Sequence, residues 1–146
     1  MAIYKHIALV AALVLSAVTF AASSMSNINY LQYNCLEGIE RTRYVFMHDE
    51  QGTPWLIHVI NDNIESSPRK KASKDFVREL QTLVGQGDVF SYEPEYYAEP
   101  EVCGGAIWEL EVRLEDGQYV RSSGRAVLPP NSILDGLELI MRSYLP

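Results

Sequence analysis

Residues 108–117 read WELEVRLEDG, and apolar and charged side chains alternate in them without a break up to Asp116-Gly117. A period of two places Trp108, Leu110 and their successors on one side of an extended chain, which is typical of a strand with one buried face. Asp-Gly is among the strongest short signals for a hairpin turn. This stretch therefore predicts a strand that reverses into an antiparallel partner.

The return strand should cover about 118–123, but its register depends on the turn. A two-residue loop would place Tyr119 beside Leu114. A three-residue loop that ends in a left-handed Gly117 would instead put Val120 on the core side. The sequence leaves both registers open.

Upstream of this hairpin, further segments have the composition of strands. Residues 42–47 and 55–60 are rich in β-branched and aromatic side chains and flank a turn-prone stretch, 49–54, so they predict a second hairpin. Residues 30–35 would add a short strand at the entrance. The sheet would then contain about four to five antiparallel strands in two hairpins.

Two segments carry apolar side chains at helical spacing. The first covers about 74–84 and follows Ser73, which stands where an N-cap belongs, and the second covers about 133–144. The apolar positions are Phe76, Val77, Leu80, Leu83 and Val84 in the first segment and Ile133, Leu134, Leu137, Ile140, Met141 and Tyr144 in the second. Each helix would have one apolar face, and we expect both to pack on the same side of the sheet.

These elements predict an α+β domain with an antiparallel sheet, both helices on one face and water on the other. Both halves give the order strand, turn, strand, loop, helix, and the helical stripes are offset by about 57 residues, as from Leu80 to Leu137. That offset indicates a ββα-ββα arrangement. A plain antiparallel meander with two helices would give the same order, so both interpretations stay open.

Length and charge limit the classes of protein. The chain has 146 residues, 47% of them hydrophobic, which is enough for one small domain, placed at 22–146, and too short for two ordinary ones. The formal net charge of −7 argues against nucleic acid and against an anionic membrane surface as the main partner, because both repel an acidic protein. A basic protein partner fits the charge better.

The first 21 residues have the parts of a secretory signal peptide: Lys5 near the start, an apolar run over 7–20, and a small residue at Ala21. The apolar run is shorter than the roughly 20 residues that span a bilayer, so we expect cleavage after Ala21 rather than an uncleaved anchor. Ser23 and Ser24 would also serve as the last residue removed. The mature protein should be periplasmic or secreted, with no membrane attachment.

The mature chain contains two cysteines, Cys35 and Cys103. An even number in an oxidising compartment predicts one disulfide. In the loop-closure model a crosslink of this span would stabilise the fold by about 4 kcal/mol. The alternative, a nucleophilic Cys103, requires a nearby histidine, and His48 and His58 are the two that remain after processing.

An acidic segment with several tyrosines, 91–101, is the main candidate for a partner-binding site. From Glu79 through Val112 the chain contains no Lys or Arg. Tyrosines offer contact area at low entropic cost and prolines restrict the segment, so it has the features of a preorganised interaction loop. The predicted contact residues are Tyr92, Glu93, Glu95, Tyr96, Tyr97, Glu99 and Glu101. The alternative is a solvated loop with no special role.

No arrangement of residues indicates a catalytic, cofactor or metal site. Glu109 and Glu111 share a strand face, as the paired carboxylates of a glycosidase would, but the alternation already places them in water. The histidines lack metal-ligand spacing. The basic cluster at 69–71 predicts a solvated face or, alternatively, a site for an anion or for the acidic rim of a partner.

Together these features predict an exported bacterial protein-binding module with an acidic surface, such as an inhibitor or immunity protein against a basic cell-wall hydrolase or toxin. The alternative is an envelope-maintenance or adaptor protein without catalytic activity, and a small hydrolase is the least favoured. Salt dependence separates the first two, since charge-steered association weakens as ionic strength rises. The oligomeric state is not predicted.

Overall fold

The computed structural model describes residues 25–98 and 105–145. In chain order its elements are β1 (Ile28–Glu37), β2 (Glu40–His48), β3 (Pro54–His58), β4 (Arg69–Lys71), α1 (Lys74–Gln86), a short 3-10 helix (Val89–Ser91), β5 (Glu95–Tyr97), β6 (Ile107–Leu114), β7 (Tyr119–Arg125) and α2 (Leu134–Tyr144). All seven strands form one mixed sheet in the order β4-β3-β2-β1-β6-β7-β5. Neither helix of the described part is long and apolar enough to cross a membrane. The predicted signal peptide, 1–21, lies outside the described residues and stays a prediction.

β1 is the central strand of the sheet. It pairs antiparallel with β2 on one side and with β6 on the other, so that Leu31 lies opposite both Phe46 and Val112. A tight turn joins β1 to β2, and Gly38 occupies it with a φ of 62°, a left-handed conformation that glycine adopts without steric cost.

Both helices cover the same face of the sheet. Ser73 caps α1 because its Oγ accepts a hydrogen bond from the Phe76 N–H at 3.1 Å. The buried side chains of the two helices are Phe76, Leu80 and Val84 in α1 and Leu134, Leu137 and Met141 in α2. They belong to one core cluster with Leu31, Phe46, Leu56, Leu110 and Val112 of the sheet. The apolar positions that recur at helical spacing in the sequence therefore pack into one continuous core.

The β6–β7 hairpin has the register of the three-residue loop. Gly117 has a φ of 90°, and Leu114 donates its N–H to the carbonyl oxygen of Gln118 at 2.9 Å. Val120 consequently lies opposite Val112 and is buried on the core side, whereas Tyr119 faces solvent. Turn geometry, which the sequence left open, thus decides which face of β7 is buried.

The α+β class and the two helices agree with expectation, but the prediction of four to five antiparallel strands in two hairpins is wrong. The sheet has seven strands and is mixed, because β5 runs parallel to β7. Both missed strands, β4 and β5, are three residues long and lie at the two edges of the sheet. Short edge strands with exposed side chains have no alternating apolar pattern, so the periodicity that reveals the long strands cannot reveal them.

The ββα-ββα arrangement is also not the one observed. Four strands precede α1, whereas three lie between α1 and α2. The two predicted hairpins do not meet, because β1 lies between β2 and β6. The similar order of patterns in the two halves therefore reflects similar burial of strands and helices and not two equivalent structural units.

Candidate functional site

The predicted partner-binding segment forms one edge of the sheet. After the 3-10 helix the chain passes through Glu93 and Pro94 and enters β5, which pairs only with β7 among the described residues. Glu99, Glu101 and Cys103 lie outside the described residues. The structure therefore describes residues 91–98 of the predicted segment.

Two of the three predicted contact tyrosines serve the fold. Tyr92 is buried, and its hydroxyl accepts a hydrogen bond from the Ile133 N–H at 3.2 Å, at the start of α2. The Tyr96 hydroxyl accepts from the Glu93 N–H at 2.8 Å, and its ring packs 5.9 Å from that of Trp108. These contacts give both tyrosines a role in positioning the segment, and their contact with a partner stays a prediction. Tyr97 is the most exposed of the three, at 61%.

Hydrogen bonds between β5 and β7 determine which main-chain groups of β5 point away from the sheet. The Ser122 hydroxyl donates to the carbonyl of Glu93 at 2.5 Å, the Ser123 N–H donates to that of Pro94 at 3.0 Å, and the Ala98 N–H donates to Arg125. Main-chain groups of alternate residues point to opposite sides of a strand. Because Pro94 and Ala98 face β7, the N–H and C=O groups of the odd-numbered residues 95 and 97 point away from the sheet.

The side chains along this edge are acidic. Glu93 and Glu95 are exposed, and neither forms an ion pair with any group in the described residues. We call Glu93, Glu95 and Tyr97, together with the outward main-chain groups of β5, the acidic edge. Within the part of the chain that the structure describes, it combines unpaired strand hydrogen-bonding groups with carboxylates that form no ion pair.

The face of the sheet opposite the helices is not simply solvated. Glu111, expected in water, is 8% exposed, and Arg113 donates to its carboxylate through Nε at 2.8 Å and Nη2 at 2.5 Å. Glu109 pairs with Arg121 at 2.6 Å. Arginines therefore pair with both carboxylates, and the small hydrolase stays the least favoured alternative. Near the other end of this face, Val45, Ile57 and Val59 form a small second core.

A groove of about 370 Å³ crosses this face where β1, β2, β6 and β7 lie side by side. We call it the arginine groove and define it by Asn34, Arg41, Arg43, Asp62, Glu109 and Arg121. It was not among the sites predicted from the sequence. The predicted strand, 42–47, contained Arg43 but not Arg41, and the longer β2 of the structure places both arginines on one face. The charges assemble only through the strand register, which no local pattern reveals.

The basic cluster forms the opposite edge of the sheet, as β4. The Lys70 ammonium lies 4.4 Å from the centre of the Tyr144 ring, and the Tyr144 hydroxyl donates to the carbonyl of Lys71 at 2.9 Å. Arg69 donates to two loop carbonyls, those of Ile64 and Glu65. Charged side chains and a covering tyrosine protect an edge strand from pairing with other chains. What distinguishes this edge from the acidic edge is the Tyr144 side chain, which holds β4 against α2.

Cys35 lies in β1 with its Cα opposite that of Trp108. The side chain is half-buried, and this burial raises the pKa of the thiol, which reduces its thiolate content at neutral pH. Cys103 lies outside the described residues, so the Cys35–Cys103 disulfide stays a prediction. A protonated, half-buried thiol is typical of a structural cysteine and not of a nucleophile.

No protein-family model matches the chain, and a search of curated proteins finds no match either. Within 25–98 and 105–145, no three His, Cys, Asp or Glu side chains are grouped closely enough to hold a metal ion. Function therefore has to be argued from the geometry of the two surfaces described above.

Proposed function

We propose that this protein is an exported binding module that takes up an extended, basic segment of a partner protein at the acidic edge. The single observation that carries the proposal is the outward direction of the main-chain groups of residues 95 and 97 on an edge strand flanked by unpaired carboxylates. An inhibitor or immunity protein against a basic cell-wall hydrolase or toxin would work in this way.

The physical basis is strand addition. An extended peptide that pairs with a free sheet edge gains affinity from main-chain hydrogen bonds, and alternate side chains give specificity. Tyr97 offers an exposed aromatic ring next to those hydrogen bonds, and such rings are enriched at the centres of protein interfaces. The edge is also preorganised, because Tyr96 and Ser122 already hold both main-chain groups of Glu93.

Charge adds selectivity for a basic partner. Glu93 and Glu95 attract Lys and Arg side chains and steer the encounter, an effect that salt screens. The backbone and tyrosine contacts form after the encounter and determine the dissociation rate. An adaptor that bound through a neutral surface would instead associate at nearly the same rate at low and high ionic strength.

The experiment is to capture a basic partner from envelope extract on the immobilised mature protein, identify it, and measure its binding kinetics with variants of the acidic edge. Tyr97→Pro removes the outward N–H, and Tyr97→Ala is its matched control because it removes the ring and keeps the N–H. We expect both variants to speed dissociation and the proline variant to do so by about tenfold more, a difference of about 1.4 kcal/mol.

A charge variant completes the test. Replacing Glu93 and Glu95 by Gln should slow association and flatten its salt dependence while the dissociation rate changes little. Binding that is unaffected by Tyr97→Pro and by the double Gln variant would overturn the proposal.

A further inference from the structure

We propose that the arginine groove is a second binding site, independent of the acidic edge, that takes the oxyanion of a small carboxylate- or phosphate-bearing molecule. The site lies on the sheet face opposite the helices, and its guanidinium groups come from Arg41, Arg43 and Arg121. A volume of about 370 Å³ falls within the range of small-molecule sites.

The groove concentrates positive charge in an acidic protein. Its three guanidinium groups outnumber its two carboxylates, those of Asp62 and Glu109, although the whole chain has a net charge of −7. Guanidinium groups present planar forks of N–H donors that match the oxygens of carboxylates and phosphates. The local charge therefore favours an anion although the net charge of the chain is negative.

Arg43 is only partly satisfied within the chain. Its Nη2 donates to the side-chain oxygen of Gln32 at 2.9 Å, but its buried Nε has no acceptor in the described residues. Asn34, whose Cα lies opposite that of Arg43, has a buried Oδ1 with no donor among the described residues. Buried polar atoms without a partner are costly and rare in folded proteins. The open N–H of Arg43 is a donor from which an oxyanion could accept, whereas Oδ1 of Asn34 is an acceptor and could bind only an N–H or O–H group of the ligand.

Asp62 shows that a carboxylate fits between two of these arginines. One oxygen lies 3.4 Å from Nη1 of Arg41 and the other lies 3.3 Å from Nη1 of Arg43. Both distances are longer than those of strong charge-assisted hydrogen bonds, and the Asp62 side chain is 64% exposed on the loop that follows β3. This loosely held carboxylate occupies the position of an incoming anion and competes with it.

The remaining walls define the body of the ligand. Leu36 and the exposed side chain of Ile107 border the groove, so a short aliphatic chain attached to the anion would gain apolar contact. On the β6–β7 side, Glu109 already holds Arg121 at 2.6 Å. Arg41 and Arg43 are therefore the pair that binds the anion, and Arg121 adds long-range attraction.

The test is a calorimetric titration of the purified mature protein at constant ionic strength with three probes: butyrate, its neutral analogue butyramide, and inorganic phosphate. We expect saturable binding of at least one of the two anions and none of butyramide. Saturation by butyrate alone or by both anions would assign organic carboxylates as ligands, and saturation by phosphate alone would assign phosphate groups.

Variants locate the site. Arg41→Gln removes a mostly exposed side chain, so it leaves the fold intact, and it should weaken anion binding about tenfold; Arg43→Gln should do at least as much. Asp62→Asn should tighten binding by about threefold, because it removes the competing charge. Arg142→Gln, an exposed arginine of α2 that pairs with Glu138, is the matched control and should change nothing.

Two results would overturn the proposal. One is the absence of saturable binding of either anion by the Asp62→Asn variant. The other is an equal effect of Arg41→Gln and Arg142→Gln, which would mean that anions respond only to net charge. Neither result bears on the acidic edge, whose outward main-chain groups belong to β5, a strand that does not line the groove.

Discussion

The ring of Trp108 in β6 lies directly over Gly124 of β7, its neighbour across the strand pair. A Cβ at position 124 would stand 2.5 Å from Nε1 of that ring, closer than real Cβ contacts allow. The ring cannot move aside easily, because Nε1 donates to the carbonyl of Val127 at 2.7 Å and Tyr96 packs beside it. Close approach of the two strands, and not a positive φ, thus requires glycine at this position.

Gly124→Ala should therefore lower the free energy of unfolding by about 1–3 kcal/mol, the usual cost of overpacking a core. Urea denaturation followed by tryptophan fluorescence would measure it. Gly85→Ala in α1 is the control, because the nearest atom to its added Cβ is a methionine methyl at 3.9 Å, and this variant should lose no stability. Equal stability of the two variants would contradict the packing described.

Asp49 in the β2–β3 turn predicts a pH effect at the scale of one side chain. Its carboxylate accepts from the Trp55 indole N–H at 3.0 Å and from the Thr53 and Gln51 N–H groups. These hydrogen bonds lower the pKa of Asp49, with the Trp55 bond as the largest cause. Since the folded pKa lies below the unfolded one, this stabilisation is complete above the unfolded value, about 4, and is lost as pH falls through the folded value.

In Asp49→Asn the free energy of unfolding should accordingly fall less steeply with decreasing pH below about 4 than it does in the wild-type protein. Denaturation at several pH values would give the slopes. Glu50→Gln, in the same turn, is the control and should keep the wild-type slope. The same acid slope in Asp49→Asn and wild-type protein would refute the assignment.

Among the elements, α2 shows most directly how an amphipathic pattern becomes stability. Leu137 is fully buried against α1 and the sheet, whereas Leu139, two residues later on the same helix, is 70% exposed. The two side chains have the same chemistry and nearly the same helical context. We therefore expect their contributions to the free energy of unfolding to differ because their burial differs.

Leu137→Ala should lower the free energy of unfolding by about 2–5 kcal/mol, from lost burial and the cavity left behind. Leu139→Ala should change it by less than about 0.5 kcal/mol. Chemical denaturation of both variants tests the pair. Similar losses at the two positions would mean that α2 does not pack with the face described.

The elements that could be predicted from the sequence are those whose pattern is set by burial. These elements have apolar side chains wherever they face the core. They are the run at 108–117, the strand segments at 42–47 and 55–60, and the two helices. β4 and β5 form because their main chains pair with a neighbouring strand, β3 and β7 respectively. Charged residues can therefore occupy them as readily as apolar residues. The same reason hid the structural roles of Tyr92 and Tyr96, whose hydrogen-bond partners are known only from the fold.

For the whole molecule, composition indicated acidity but not where the charges would gather. Arginines of several strands, among them Arg41, Arg43 and Arg121, lie on the sheet face away from the helices. These three come from β2 and β7, which α1 separates in the chain, and a register shift by one residue would turn them to the other face. The arginine groove is therefore a product of topology that no single stretch of sequence records.

The central position of β1 also sets an order of events in folding. β1 can pair with β2 as soon as residue 48 has emerged, but its other neighbour begins only at Ile107. A contact of such sequence separation is costly to close and slows folding. The native sheet thus cannot form until most of the chain is present. If the predicted signal peptide takes the chain through a membrane pore, this delay keeps the sheet incomplete, and the polypeptide able to pass, until β6 has followed.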